Sequence, residues 1–354
     1  MPKYLECQLC PKYCRIPEGG AGDCRVRMHI DGRLLASTWG LPCSAHMDPI
    51  EKKPLFHFLP GSPILSIATV GCNLHCRNCQ NHEISQANPE DSEAFELPPD
   101  RLVEVTRREG APSIAYTYTE PLTYYEYTHD CCVAAREAGL RNVLVSAGYI
   151  NQKPLRRLLP YVDAANIDLK GFTEQFYKDN CGATLRPILA ALETCVEMGV
   201  WLEVTNLVIP TLNDDMELIR KMCRWMAKHL GPTVPLHFSR FHPQFKLRNL
   251  PPTPGETLEQ ARGVAFEEGL KFVYVGNLRT HHGESTFCHN EACPGRQRPL
   301  VVRVGFSIEV NRIAQGKCPD CGIVIPGVWD SSSTSRGGEA VPGGSASRDS
   351  GGSQ

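Results

Sequence analysis

The sequence predicts an α/β protein: a partial (β/α) barrel of about six parallel strands, with small cysteine-rich metal-binding segments at its N- and C-termini. Three observations carry this expectation. Short apolar runs at 64–70, 113–118, 142–146, 163–169, 201–209, 235–240 and 271–275 alternate with longer amphipathic stretches such as 122–138, 184–198, 214–229 and 257–268. Six or seven such βα units fall short of a closed eight-fold barrel. Finally, the chain of 354 residues holds 17 cysteines, many in spaced sets before, within and after that pattern.

The first segment, residues 1–45, is loop-rich and carries Cys7, Cys10, Cys14 and Cys24 within eighteen positions. A small segment with little core often depends on metal. Four thiolates suit a closed zinc site, with an auxiliary [4Fe–4S] cluster as the rival reading. The barrel is expected over 46–285 and opens with Asp48-Pro49-Ile50-Glu51-Lys52-Lys53-Pro54-Leu55-Phe56-His57-Phe58-Leu59-Pro60-Gly61. Its prolines and glycine predict an irregular, packed lead-in.

The first barrel strand runs into Gly71-Cys72-Asn73-Leu74-His75-Cys76-Arg77-Asn78-Cys79-Gln80-Asn81. Cys72, Cys76 and Cys79 stand at C-x3-C-x2-C spacing on a loop after a strand, where α/β barrels gather their chemistry. Three thiolates suit a [4Fe–4S] cluster one ligand short, leaving an iron open to a small molecule. The competing reading is a zinc knuckle completed by His75 or His82. Residues 286–330 pair Cys288 with Cys293 and Cys318 with Cys321 in the manner of a zinc ribbon, with rubredoxin-like iron as the rival and His289 as a substitute ligand. Residues 331–354 are dominated by Ser and Gly and are expected to be disordered. Cys43, Cys131, Cys132, Cys181, Cys195 and Cys223 follow no ligand spacing.

Composition counts against some functions. A net charge of −2 lacks the basic footprint of a nucleic-acid binder. No apolar stretch is long enough to span a bilayer, and the N-terminus has no export signal. The cysteines are therefore expected to be metal ligands or reduced core thiols of a cytoplasmic protein.

The three-cysteine loop resembles that of the radical S-adenosylmethionine superfamily. The lead-in motif 48–55, Gly71-Cys72-Asn73 and Cys79-Gln80-Asn81 resemble the AmmeMemoRadiSam system enzymes more narrowly, relatives of the pyruvate formate-lyase activating enzyme. That resemblance implies S-adenosylmethionine on the open iron, reductive cleavage to a 5′-deoxyadenosyl radical, and hydrogen abstraction from a protein or small-molecule substrate. A flavodoxin or ferredoxin reductant and AmmeMemoRadiSam companion proteins would be its partners, with no nucleic acid and no membrane. It further implies that Glu120 binds the cofactor ammonium, where relatives carry Gly-Gly-Glu and this chain has Tyr118-Thr119-Glu120. Lys170 would pair with the cofactor carboxylate; Asp168, two residues earlier and on the same face of its strand, completes an Asp-x-Lys element. A monovalent cation site among Ser146, Ala147 and Asn166 is weakly supported, because relatives use acidic ligands there. His242 corresponds to a late-strand histidine near the cofactor, with His237 and Asn277 as weaker candidates. Asn78 precedes the third cysteine where an aromatic residue is common, so an adenine contact there would be polar. A glycyl-radical activating enzyme and a non-enzymatic zinc-ribbon or electron-transfer protein are the alternative readings.

Overall fold

The computed structural model describes residues 3–278 and 281–330. The expected disordered tail, 331–354, lies outside the described residues. Four short strands come first, as two antiparallel pairs: β1 (Tyr4–Glu6) with β2 (Arg15–Pro17), and β3 (Arg27–Ile30) with β4 (Arg33–Ala36). β5 (Ser44–Pro49) then enters the main sheet, followed by β6 (Pro63–Ala68), β7 (Ser113–Tyr116), β8 (Arg141–Ser146), β9 (Ala164–Asp168), β10 (Trp201–Val208), β11 (Leu236–Arg240) and β12 (Val273–Gly276).

The sheet order is β12-β11-β10-β9-β8-β7-β6-β5, with β6 to β12 all parallel and β5 antiparallel on the β6 edge. The seven apolar runs each became a parallel strand, one more than the six expected. The barrel is open, since β12 and β5 are the two ends of the sheet and do not pair with each other. Strands of a parallel sheet are buried on both faces, which is why they read as near-continuous apolar runs.

Helices fill the crossovers. Those lying between parallel strands include α2 (Pro99–Arg108), α3 (Tyr125–Glu137), α4 (Gln152–Leu158), α6 (Arg186–Glu197), α7 (Met216–His229) and α8 (Gly255–Glu267). Short helical turns α1 (His82–Ser85), α5 (Glu174–Phe176) and α9 (His281–Glu284) sit in loops. Local chemistry sets their starts: Pro99 occupies the first turn of α2, and Asp215 caps α7 by accepting from the backbone N–H groups of Glu217 (2.8 Å) and Leu218 (3.1 Å).

Two departures from the sequence reading have physical causes. The lead-in begins as strand β5 up to Pro49, so only Ile50 to Gly61 is irregular. A proline is tolerated there because it ends an edge strand. Beyond it, Ile50, Leu55, Phe58 and Leu59 are buried against Ile64, Ala115, Val143 and Ala164. The segment therefore closes the N-terminal ends of the strands. After the barrel, β13 (Val301–Val304) and β14 (Ser307–Asn311) form a hairpin between the two C-terminal cysteine pairs.

Candidate active site

The Cys72–Cys79 loop leaves β6 at the C-terminal edge of the sheet. Gly71 makes the departure possible. Its φ of +93° lies in the left-handed region, and a Cβ there would meet the Cys24 carbonyl at 2.6 Å. The loop is then held across the sheet: the His75 N–H donates to the Cys181 carbonyl (2.8 Å) and the Arg77 N–H to the Asn180 carbonyl (2.9 Å). Asn73 Nδ2 donates to the Tyr149 carbonyl (2.8 Å), and the Leu74 N–H points at Cys72 Sγ (3.3 Å). Cys79 Sγ lies 3.2 Å from Ser85 Oγ of α1.

The motif residues that stood apart in sequence meet here. Asp48 of the lead-in accepts from Lys52 (2.8 Å), Lys53 (2.6 Å) and the Tyr118 hydroxyl. Tyr118 has φ +64°, the left-handed conformation that a glycine would adopt without cost. The Asp48 bond and Lys53 Nζ, 4.4 Å from its ring centroid, hold it there. In turn the Tyr118 carbonyl accepts from Asn81 Nδ2 at 2.6 Å, tying the lead-in to the end of the cysteine loop.

Residues 66–223 match the Radical SAM superfamily. An uncharacterized protein of Methanocaldococcus jannaschii is 49% identical over 320 residues, covering 90% of this chain and 94% of the relative. The pyruvate formate-lyase-activating enzyme of Clostridium pasteurianum is 26% identical over 57% of this chain and 87% of its own. The 4-hydroxyphenylacetate decarboxylase activating enzyme of Clostridium scatologenes is 20% identical over 82% and 89%. The chain belongs to the radical SAM superfamily. Membership brings a [4Fe–4S] cluster and S-adenosylmethionine.

The residues present fit that pair. Cys72, Cys76 and Cys79 share one loop, yet their ligand atoms do not crowd within the 4.8 Å that a single ion would require. The zinc-knuckle alternative finds no fourth ligand: among the described residues neither His75 nor His82 joins these cysteines in a group whose ligand atoms lie within 4.8 Å of one another, and His75 is engaged by Asp23 (2.8 Å) and Gln86 (3.0 Å). Burial pushes the Cys72 thiol well up, whereas a hydrogen bond from Cys181 holds Cys76 below its ordinary value, Lys170 helping. Sequence reasoning missed Cys181. It lies 105 positions beyond Cys76, on a π-helical turn (Tyr177–Cys181), and no spacing rule joins the two.

Glu120 is buried and already well held. It accepts from Ser146 Oγ (2.6 Å) and from the N–H groups of Ala147 (2.8 Å) and Leu122 (3.2 Å). Burial raises its pKa against those donors, and its charge is felt at Cys72. Ser146 and Ala147 therefore anchor Glu120, and Asn166 donates to the Pro54 carbonyl (2.8 Å).

Lys170 Nζ pairs with Asp168 Oδ2 at 2.7 Å. Burial opposes the charged ammonium, but Asp168 and the thiols of Cys76 and Cys181 outweigh it and raise its pKa. His242 follows β11 and is exposed. It is its neighbours that reach the cysteine loop: Gln244 Nε2 donates to the Asn78 carbonyl (2.9 Å) and the Lys246 N–H to the Arg77 carbonyl (2.9 Å). Asn78 is buried and accepts from Asn180 at 2.9 Å. His237 is a buried core histidine bonded to Glu203 (2.7 Å), near the N-terminal ends of β10 and β11 and away from the cysteine loop. Asn277 Nδ2 donates to Ser239 Oγ (2.9 Å).

The two outer cysteine sets differ in geometry. Cys288, Cys293, Cys318 and Cys321 converge, with ligand atoms all within 4.8 Å of one another and Sγ pairs at 3.7 and 3.8 Å. Sulfurs about 3.8 Å apart are what a tetrahedral ion with bonds near 2.3 Å requires. His289 packs on Phe272 instead and is not needed as a ligand. Cys7, Cys10, Cys14 and Cys24 surround one recess without closing to that spacing. No described helix is long and apolar enough to cross a membrane.

Proposed function

We propose that this chain is a radical S-adenosylmethionine enzyme whose reactive [4Fe–4S] cluster is held by Cys72, Cys76 and Cys79. The observation that carries the reading is the meeting of this loop with buried Glu120 and with Lys170 at the C-terminal ends of neighbouring strands. When bound, the cluster and S-adenosylmethionine supply one-electron cleavage of the S–C5′ bond and hydrogen abstraction. The protein's part is placement. Glu120, fixed by Ser146 and Ala147, offers its remaining lone pairs to the cofactor ammonium. Lys170 turns from Asp168 to the cofactor carboxylate, a short swing for a flexible point charge. Asp168, His242 and the Asn78 backbone complete the cofactor wall. The four C-terminal cysteines hold a structural zinc.

The lead-in motif favours AmmeMemoRadiSam chemistry with companion proteins, on a small molecule or a protein. Activation of a partner enzyme through a glycyl radical is the second reading, favoured by the activating-enzyme names of several relatives. Superfamily membership speaks against a non-enzymatic scaffold. The free thiols suit a reducing cytoplasm, with a flavodoxin or ferredoxin as electron source.

Anaerobically reconstituted, dithionite-reduced protein should convert S-adenosylmethionine to 5′-deoxyadenosine. Retained cleavage in a Cys72, Cys76 and Cys79 triple alanine variant would overturn the assignment. A glycyl electron-paramagnetic signal on a partner would select the second reading. Deuterium passing from a labelled small molecule into 5′-deoxyadenosine would select the first.

A further inference from the structure

We propose that Cys7, Cys10, Cys14 and Cys24 bind a second [4Fe–4S] cluster, ligated by all four cysteines, that passes an electron to the site at Cys72–Cys79. The electron-transfer role rests on the proposed function; the cluster itself does not.

The first argument is spacing. One recess is lined by all four of these cysteines. Among the described residues, only the C-terminal quartet draws its sulfurs together to single-ion distances, with pairs at 3.7 and 3.8 Å. No three sulfurs of the N-terminal four lie within 4.8 Å of one another, nor do those of Cys72, Cys76 and Cys79. A cubane needs that wider stance, because each sulfur binds a different iron and the sulfurs lie on the order of 6 Å apart. Zinc, which spacing in sequence alone favours, needs the closed one.

The second argument is the surroundings of the sulfurs. The Asp23 N–H points at Cys14 Sγ (3.5 Å). Backbone N–H groups of Lys12 and of Val26 and Arg27 are directed at Cys10 and Cys24 respectively. Donors of this kind stabilise anionic sulfur and tune cluster potential. Cys7 and Cys24 are each 6% exposed, so their part of the recess is shielded from water. Lys12 and Arg27 also line the wall, each paired with a carboxylate, Asp23 (2.5 Å) and Glu126 respectively.

The third argument is position. Asn73, the residue after Cys72, lines the same recess and contacts Cys10. Its Oδ1 is buried without a partner. On the other side, the Cys24 carbonyl lies 2.6 Å from where a Gly71 Cβ would stand, leaving no space between the segments. Cys24 and Val26 pack on Val70 at the end of β6's apolar run. The two cysteine sets therefore share a wall one residue thick at Asn73.

Full coordination leaves no open iron at the outer site, so S-adenosylmethionine has nowhere to bind there. Its role is transfer. One electron from an external low-potential one-electron donor reduces the outer cluster from the 2+ to the 1+ state. The outer cluster returns to 2+ as the inner one takes that electron. No proton or bond is exchanged.

The test uses the full chain, expressed with iron and purified anaerobically. Wild type should hold about eight irons per chain and about one zinc. The Cys72, Cys76 and Cys79 triple alanine variant should keep about four irons, with a dithionite-reduced electron-paramagnetic signal that S-adenosylmethionine does not shift. Two zincs and no iron in that variant would overturn the proposal. Should that variant fail to fold, spin counting on wild type decides: only about half of the reduced signal should respond to S-adenosylmethionine, and a full response overturns the outer cluster. Cys14→Ser should lose the unresponsive half alone and slow dithionite-driven 5′-deoxyadenosine formation at limiting reductant. Unchanged kinetics with that half lost would overturn the electron-transfer role. Absence of any responsive signal, with the outer irons retained, would instead sink the proposed function.

Discussion

Single residues set the reactivity of the cysteine loop. Cys76 is poised toward thiolate because Cys181 donates to it and Lys170 lies nearby, while buried Cys72 needs iron to lose its proton. Cys76→Ala should abolish 5′-deoxyadenosine formation and remove the S-adenosylmethionine-responsive signal. Cys181→Ala removes only a donor to a ligating sulfur. It should keep the iron, make the cluster potential more negative, and cost about tenfold to a hundredfold in activity; loss of iron would make Cys181 a ligand instead. Gly71→Ala forces a Cβ toward the Cys24 carbonyl at a φ of +93°. A drop in unfolding free energy of about 1–3 kcal/mol is expected, read by denaturant titration. The candidates themselves came from the sequence: the triad, Glu120, Asp168 and Lys170 stand in local motifs, and the structure brings them to one end of the sheet. Cys181 and Gln244 were not legible there, since their roles come from distant segments folding onto the loop.

At the scale of elements, β10 joins the barrel to the C-terminal ribbon. Buried Glu203 accepts from the N–H groups of Phe56 (3.0 Å) and His57 (2.8 Å), from Trp201 Nε1 (3.0 Å) and from His237 Nε2 (2.7 Å). Arg303 of β13 crosses to donate to the Phe56 carbonyl at 2.6 Å. Removing one side of such a network leaves buried polar groups unpaired, so Glu203→Ala should cost about 3–5 kcal/mol of stability. The pH dependence follows from two groups. Burial holds His57 down to about 4 from its ordinary 6.5, so protonation favours the unfolded chain. Its contribution is full above pH 6.5 and lost as pH falls toward 4. Burial would raise Glu203, but His237, His57 and the backbone donors outweigh it and lower it from 4.5 to about 2. That contribution is lost below pH 4.5. Melting temperature should therefore be level above neutrality, fall below pH 6.5, and fall further below 4.5; a rise on acidification would refute this account. The seven parallel strands were legible because burial on both faces makes them apolar throughout. β5 was hidden by its composition: Ser44-Ala45-His46-Met47-Asp48-Pro49 is a mixed edge strand ending in proline.

Across the whole molecule, the two outer cysteine sets occupy opposite ends of the sheet. The ribbon packs through Phe56, Phe272 and Tyr274 at the N-terminal ends of the strands. The N-terminal segment packs on Val70 and the cysteine loop at the other end. Cys318→Ser should therefore lose about one zinc and lower the melting temperature while leaving the S-adenosylmethionine-responsive signal intact. Loss of that signal would mean the ribbon supports the cluster directly. By itself the sequence determined the α/β class, the strand positions and the C-terminal quartet, and it nominated the proposed triad, because each is written in short-range spacing and periodicity. Only the tertiary structure decided that an antiparallel β5 closes off the β6 edge, that Cys181 faces Cys76, and that the N-terminal cysteines line one recess beside Asn73. Those depend on distances between segments far apart in the chain, and spacing along a sequence carries no measure of them.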